Sequence, residues 1–202
     1  MDSKILFGTH NSGTCYKLVW WQRIFGFILN LVSRCQSRSI VEQLRDGVIL
    51  FNFQVCHYRN DWYFSHGLCV YDGKLFDALS LIEGELFSDV NKKIYIQLSL
   101  DKNFLIGQDI DRFKVLVNEL LNKYNNDVSR LRIISCVIEG GERLFSDSNH
   151  GLYYEEKYWT SSFVGSFMDK LPLPSYHAKK YNRKYIESCK KDILMLDFYD
   201  RY

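Results

Sequence analysis

Two histidines in short polar stretches are the residues of this sequence best placed to do chemistry. His10 lies in Gly8–Thr14, GTHNSGT, directly after the apolar tripeptide Ile5–Phe7, which predicts a buried strand. His66 lies at the end of a second predicted strand, and Asp197 lies in an apolar strand late in the sequence. Because α/β folds carry their chemistry at the ends of strands, these three residues are candidates for one site.

The composition is that of a globular protein. The 202 residues are 47% hydrophobic and 16% aromatic, which predicts one well-packed domain over residues 1–202. A net charge of +2, from 26 basic and 24 acidic residues, argues against binding of nucleic acid through a basic surface. Six scattered cysteines without a CxxC pair predict reduced, buried thiols. Since no signal peptide precedes the first strand, we expect a cytoplasmic location.

The most apolar stretch, residues 18–32, predicts a helix. Its sequence, LVWWQRIFGFILNLV, is interrupted by polar residues and is shorter than the roughly 20 apolar residues that span a bilayer. Its tryptophans and phenylalanines are typical of an element that lies on a membrane surface. A core helix or a dimer contact would use the same residues. The stretch therefore has three candidate roles, of which peripheral membrane contact is the functional one.

Apolar runs and helical periods alternate along the rest of the chain. Predicted strands lie at residues 48–55, 62–70, 93–100, 132–138 and 193–198, with weaker strand patterns at 152–159 and 162–167. Predicted helices lie at residues 39–44, 75–87, 110–124 and 181–191. This alternation predicts a parallel α/β sheet with right-handed crossovers. Because the candidate residues lie at strand ends, we expect a (β/α)8 TIM barrel, small and distorted or incomplete at this chain length.

Polar residues at two further strand ends extend the candidate site. Asn52 and Gln54 are two residues apart on the strand 48–55 and therefore share one of its faces. Asp101 directly follows the strand 93–100. Polar side chains on a buried strand need hydrogen-bond partners or a ligand. The pattern predicts a polar lining that is satisfied in one of these two ways.

The order of these motifs resembles that of a known family. GTHNSGT is followed by Gln36–Ser37, Ser39–Ile40, Gln43–Leu44, Gly47–Val48 and then SHGL at 65–68. This order resembles the catalytic X domain of phosphatidylinositol-specific phospholipases C over the first half of the chain. Leu196–Phe198 resembles the last barrel strand of that family. The resemblance implies a distorted TIM barrel that cleaves the phosphodiester of a phosphoinositide or a related polyol.

The resemblance also implies a mechanism that uses both histidines. His10 stands where the general base takes the proton of the inositol 2-hydroxyl, which attacks the neighbouring phosphorus. His66 stands where the general acid protonates the departing diacylglycerol oxygen. Imidazoles suit both tasks because their pKa lies near the working pH. Asp197 matches the carboxylate that orients the base histidine.

The matched residues do not supply the positive charge that attack on a phosphodiester needs. Bacterial members of the family have an arginine on the second strand, whereas this sequence has the neutral Asn52 and Gln54. Eukaryotic members hold calcium, and Asn11 and Asp101 resemble its Asn and Glu ligands. One carboxylate with three amides is nevertheless a poor calcium site, so these four residues are the predicted substrate-binding set. The remaining candidate cations are Lys102, Lys157 and the basic residues of 140–180.

Two classes of function follow. The first is a phosphoric diester hydrolase of the phospholipase C type, indicated by the two histidines and Asp197. The second is a weakened or inactive barrel that serves as a binding or structural module, indicated by the neutral pair on the second strand. A glycerophosphodiester phosphodiesterase fits less well, because that family builds its metal site from acidic residues that this sequence lacks.

Overall fold

The computed structural model describes residues 6–103, 105–126, 129–147, 153–157, 171–189, 191 and 193–200. Its strands are β1 Leu6–Thr9, β2 Val48–Tyr58, β3 Asp61–His66, β4 Cys69–Lys74, β5 Ile94–Leu100, β6 Leu131–Ile138, β7 Arg143–Ser146, β8 Tyr154–Lys157 and β9 Ile193–Leu196. Its α-helices are α1 Gly26–Ser33, α2 Ile40–Arg45, α3 Leu75–Ser88, α4 Ile110–Tyr124 and α5 Pro174–Ser188. Two 3-10 helices, Ser12–Cys15 and Trp20–Phe25, follow β1.

The strands form one curled sheet in the order β7-β6-β5-β2-β1-β9-β8. The pairs from β6 to β8 along this order are parallel, whereas β7 is antiparallel to β6. Among the described strands, β7 and β8 form the two ends of the sheet. This architecture confirms the predicted α/β class and the incomplete barrel.

Helices cover the outside of the sheet with the apolar faces that the sequence predicts. On α4 the four residues at helical spacing, Phe113, Leu116, Val117 and Leu120, are buried. The short helix α2 begins with the predicted capping box, in which Ser39 and Glu42 satisfy each other's backbone N–H groups. The strands β5 and β9 are buried along nearly their whole length, as expected of parallel strands covered on both faces.

The predicted strand 62–70 is wrong in one respect, because it is a hairpin of two strands. β3 pairs antiparallel with both β2 and β4. The chain reverses after His66, at Gly67, whose φ of +62° lies in the left-handed region that glycine tolerates. His66 is two residues past the pair Val55–Phe64, so β3 returns it to the level where the parallel strands end.

A glycine brings the turn after His10 against this hairpin. A Cβ atom on Gly13 would lie 2.1 Å from the Phe64 ring, a separation that no side chain tolerates. The 3-10 helix Ser12–Cys15 therefore packs directly on β3. Packing of this kind fixes the two histidine-bearing segments relative to each other.

The stretch 18–32 is helical from Trp20 to Ser33, and it begins with 3-10 turns. The expected burial is inverted, because a polar side chain lies inside and large apolar side chains lie outside. Gln22 is buried and bonds the backbone of Leu68 and Val70. The large apolar side chains instead face outward: Trp20, Ile24, Phe25, Phe27, Ile28 and Leu31. This arrangement contradicts the interpretation as an ordinary core helix. Within the described residues, no helix is long and apolar enough to cross a membrane.

The last third of the chain departs furthest from the predicted elements. The helix predicted at 181–191 starts at Pro174, because proline suits the first turn of a helix. The strand β7 was not predicted. The weak pattern at 152–159 contains β8, whereas 162–167 lies outside the described residues.

Candidate active site

His10 and Asp197 form a hydrogen-bonded pair at the ends of adjacent strands. β1 and β9 are parallel and in register, with Thr9 opposite Leu196, so the next residues of both strands lie side by side. The His10 Nδ1 atom is 2.8 Å from Asp197 Oδ1. With Nδ1–H donating to this carboxylate, Nε2 accepts from the Asn11 amide at 3.2 Å. The pair is therefore set in the tautomer that leaves Nε2 as the basic atom.

The second histidine approaches from the hairpin. The rings of His10 and His66 are 6.1 Å apart and nearly perpendicular. The Nδ1–H of His66 donates to the carbonyl of Ser33, the last residue of α1, at 2.7 Å. Burial lowers the pKa of His66, and repulsion from His10 adds to this effect. The carbonyl bond to Ser33 acts in the opposite direction, since a helix C-terminus favours a cation.

Both imidazoles line one cavity of about 430 Å³ at the ends of the parallel strands. Its other described walls are mostly polar and come from β2, β5, β6, β7, β8 and β9. The polar side chains that line it are Asn52, Gln54, Gln97, Ser99, Ser135, Glu139, Arg143, Tyr154 and Glu156. Opposite sides of the open sheet meet here, because Gln97 on β5 donates to the Tyr154 hydroxyl on β8 at 2.7 Å. A ligand rich in hydroxyl groups would find both donors and acceptors in this cavity.

The predicted pair Asn52 and Gln54 faces this cavity, as their shared strand face requires. Asn52 Oδ1 accepts from the backbone N–H of Asn11 at 3.1 Å, and this bond joins β2 to the turn after His10. Gln54 donates to two carboxyl groups, Asp101 at 3.3 Å and Glu139 at 2.9 Å. Asn52 and Gln54 thus have protein partners and can also reach a ligand.

Asp101 and Glu139 form a carboxyl pair behind Gln54. Asp101 is fully buried, and burial together with the neighbouring Glu139 raises its pKa to about 8. Burial opposes ionisation of Glu139 as well, but hydrogen bonds from Asp101 and from the backbone of Lys102 outweigh it and lower its pKa. One proton is therefore held on Asp101 at neutral pH, where it is shared with the Glu139 carboxylate.

These donor groups do not fit calcium. A calcium ion takes several ionised carboxylates and carbonyl oxygens. Here Gln54 turns its amide nitrogen, a donor that cannot bind a cation, toward both carboxyl groups. Asn11 and Asp101 are buried and are not among the described residues that line the cavity. Asn11 instead bonds His10 and Asp101 supports Gln54, so both lie one layer behind the surface that a ligand would touch.

Glu139 and Arg143 are among the cavity residues that lie outside the predicted set. Glu139 directly follows β6, as Asp101 directly follows β5, so the strand-end pattern could have found it. Arg143 lies on β7, opposite Val137, and it is the one lysine or arginine among the described lining residues. Its strand has no regular pattern in the sequence, which left no signal. The candidate cations Lys102 and Lys157 are not among the described lining residues.

The remaining histidines lie apart from this cavity. His57 faces Asp109 and Arg112 on the outside of the barrel. His177 is buried on α5 and bonds the carbonyl of Leu171. His150 lies outside the described residues. Of the described histidines, only His10 and His66 meet at the cavity.

Comparison with solved structures places this geometry in a known fold. No family model matches the sequence, and no curated protein matches it. The phosphatidylinositol-specific phospholipase C of Listeria monocytogenes superimposes with a TM-score of 0.64 at 16% identity, covering 97% of this chain and 88% of that one. A Staphylococcus aureus phosphatidylinositol-specific phospholipase C, from work on modulation of its membrane binding, gives 0.59 at 13% identity, covering 98% and 87%.

The fold is that of a phosphatidylinositol-specific phospholipase C. A double mutant of the Staphylococcus aureus enzyme agrees, with a TM-score of 0.58 at 12% identity over 97% of this chain and 86% of that one. At identities this low the likeness shows the fold alone, and function has to be argued from the residues of the cavity.

Proposed function

We propose that this protein is a phosphoric diester hydrolase in which His10 is the general base and His66 the general acid. The observation that carries the proposal is the meeting of His10 and His66 at one cavity, with Asp197 bonded to His10 at the end of the adjacent strand. Residues so far apart in sequence converge there on a barrel whose solved neighbours are phospholipases C. The whole chain, residues 1–202, is proposed to form this single catalytic barrel.

The proposed reaction uses the Nε2 atom of each imidazole, because Nδ1 is bonded to Asp197 in His10 and to the Ser33 carbonyl in His66. His10 Nε2 takes the proton of a substrate hydroxyl, whose oxygen attacks the neighbouring phosphorus and closes a cyclic phosphodiester. The bond from phosphorus to the leaving oxygen breaks as His66 gives that oxygen a proton. Asp197 holds the protonated His10 in place, and each proton transfer contributes about 100- to 10,000-fold. No step in this sequence requires a metal ion.

Arg143 is the proposed source of positive charge. The substrate diester carries a negative charge that grows as the attacking oxygen approaches, so a fixed cation stabilises the transition state. Arg143 lines the cavity, and its charge lowers the otherwise raised pKa of neighbouring Tyr154. It replaces in function the second-strand arginine of the bacterial family, whose place is taken by neutral residues.

The polar walls support an inositol-type head group. Asn52 and Gln54 from β2 are proposed substrate contacts, and Gln97 and Tyr154 extend the same wall. Asn11 and Asp101 are proposed to act from behind these side chains. Two carboxylates and one arginine among the lining residues favour a ring that carries hydroxyls rather than several phosphates. A phosphoinositide with few phosphates is thus the proposed substrate.

The decisive experiment measures release of inositol phosphate from phosphatidylinositol by the purified protein, with calcium and with a chelator. We expect turnover that the chelator leaves unchanged, and its loss in His10→Ala and in His66→Ala. His57→Ala is the matched control, because this histidine lies outside the cavity. Absence of turnover above the two cavity variants would reject the assignment. The barrel would then be a binding module, which the neutral residues of β2 favour.

The outward-facing residues of Trp20–Ser33 are the proposed membrane contact. Ile24 and Phe27 are 82% and 84% exposed, while the polar Gln22 is turned inward. The segment ends at Ser33, whose carbonyl holds His66, so a membrane bound here would lie next to the cavity. Aromatic and aliphatic side chains of this kind insert at the lipid interface.

Vesicle sedimentation tests this surface. Replacing Phe27 with serine removes about 1.5–3 kcal/mol of apolar transfer energy, which predicts roughly tenfold or greater loss of affinity for phosphatidylinositol vesicles. Phe87→Ser is the matched control, because Phe87 is 80% exposed at the end of α3. Equal losses in both variants would contradict a specific membrane face. Concentration-dependent dimerisation that Phe27→Ser abolishes would instead assign the segment to a dimer contact.

A further inference from the structure

The His10–Asp197 pair lies just beyond the last rung of its sheet. The ladder between β1 and β9 ends with Thr9 and Leu196. The residues that follow the pair, Asn11 and Phe198, have φ of +45° and +41°, in the left-handed region that is unfavourable for residues other than glycine. The chain turns away immediately after each member of the pair, and the last backbone bond between the two strands runs from the His10 N–H to the Leu196 carbonyl at 3.1 Å. The carbonyls of His10 and Asp197 are left to other donors.

Two buried side-chain amides donate to the backbone carbonyls at the ends of these strands. Gln36 Nε2 donates to the carbonyls of His10 and Leu196, at 3.0 and 2.9 Å. Asn182 Nδ2, on α5, donates to the carbonyls of Asp197 and Phe198, at 2.9 and 3.0 Å. Four carbonyls at the ends of the two strands are thus bound by two NH2 groups.

The orientation of Gln36 indicates that these donor contacts matter. Gln36 is fully buried, and within the described structure its Oε1 atom has no hydrogen-bond partner. A buried acceptor without a partner is costly, and turning the amide over would set Oε1 against two carbonyl oxygens. The sequence therefore keeps an unsatisfied atom in the core in order to present two N–H groups to His10 and Leu196.

We propose that Gln36 and Asn182 are positioning residues that hold His10 and Asp197 at hydrogen-bond distance. Gln36 donates to the backbone on the histidine side, and Asn182 donates to the backbone on the aspartate side. The neighbouring Cys35 carbonyl accepts from Phe198 N–H, which ties the segment that carries Gln36 to the segment that carries Asp197. The effect on turnover rests on the proposed function, whereas the effect on the pair does not.

The chain provides a matched control in Gln43. This residue on α2 is also fully buried, its Nε2 donates to two carbonyls, those of Ser12 and Arg38, and its Oε1 has no partner in the described structure. Neither of these bonds goes to His10 or Asp197. Gln36→Met and Gln43→Met therefore remove the same donors at similar burial, and only the first removes them from the pair.

The test follows the Nδ1 proton of His10 by NMR in substrate-free protein, with the signal assigned through its loss in His10→Ala. We expect a low-field resonance that is retained in Gln43→Met but broadened or lost in Gln36→Met and in Asn182→Leu. In the assay, kcat should fall about ten- to a hundredfold in the latter two with KM little changed, as expected for a misplaced base.

The outcomes separate the two hypotheses. If the unmodified protein does not turn over phosphatidylinositol, the proposed function fails, and the NMR signal still decides on the two amides. Asn182→Leu gives an independent result where Gln36→Met does not fold. A resonance and a kcat in Gln36→Met and Asn182→Leu that equal those of Gln43→Met would overturn the proposal.

Discussion

The cavity has two sides that use the same residue type in opposite ways. On the dyad side, formed by β1 and β9, Asp197 faces the N–H of His10 and is framed by amides that donate to the backbone. On the carboxyl side, formed by β2, β5 and β6, Asp101 faces Glu139 and holds a proton. Both aspartates are buried at strand ends, so their neighbours, and not their positions, set what each can do.

Among the changes that distinguish the two sides, replacing Asp197 with asparagine should lower kcat the most. It alters the dyad side and leaves the residues of the carboxyl side unchanged. An amide at position 197 does not stabilise a protonated His10 and no longer fixes its tautomer. We predict a fall in kcat of about a thousandfold or more in the inositol phosphate assay.

Asp101→Asn is the matched control for this measurement, since the same atoms change on the other side of the cavity. Equal losses of kcat in the two variants would show that the two sides do not differ in the way proposed.

Arg143 is the proposed positive charge of the cavity, and its removal should have the next largest effect. Arg143→Gln leaves Glu139 and Glu156 lining the cavity with no described lysine or arginine beside them. We predict a fall in kcat/KM of about a hundredfold, with partial recovery in Arg143→Lys. Arg183→Gln, on the exposed face of α5, should leave kcat/KM near that of the unmodified protein. A similar loss in both arginine variants would argue against a role at the cavity.

Asp101→Asn should stabilise the fold. The pKa of Asp101 is raised from 3.8 to about 8, so the folded state holds a proton that the unfolded chain releases above pH 4. The stability of the unmodified protein should therefore fall as the pH rises through this window. Asparagine does not titrate, so the variant escapes this loss. In urea unfolding, its free energy of unfolding should exceed that of the unmodified protein, and this difference should be larger at pH 8 than at pH 5 by more than about 1 kcal/mol.

Opposite behaviour of this variant would contradict the shared proton. A loss of stability in Asp101→Asn that grows with pH would mean that Asp101 is ionised in the folded state.

The dyad side was the more predictable of the two from sequence. His10 and Asp197 each follow a short apolar run, and adjacent parallel strands necessarily bring their ends together. His66 was found by its motif, but the hairpin that delivers it was read as one strand, because Gly67 alone marks the reversal. Asn52 and Gln54 were found through the period of two on a strand.

The carboxyl side needed three-dimensional information. Asp101 and Glu139 are 38 positions apart in the sequence, and each is an ordinary strand-end acid until the other is placed beside it. Arg143 reaches the cavity only because β7 folds back on β6. The inverted polarity of Trp20–Ser33 was equally hidden, since an apolar run looks the same whether it faces the core or the outside.

The smallest predicted effect concerns His66, which lies between the two sides and responds to both. His10 repels its charge, whereas Glu139 attracts it, and burial lowers its pKa below 6.5 overall. Because a general acid must be protonated in the free protein, the proposed role of His66 predicts that kcat/KM falls as the pH rises, with the midpoint of this limb below 6.5. Glu139→Gln removes the attraction and should move the midpoint lower still, by a fraction of a pH unit. Glu156→Gln makes the same change of charge beside Gln97, on another wall of the cavity, and should move it less. A midpoint that rises in Glu139→Gln would mean that the carboxyl side does not act on the acid, and the two sides would then work independently.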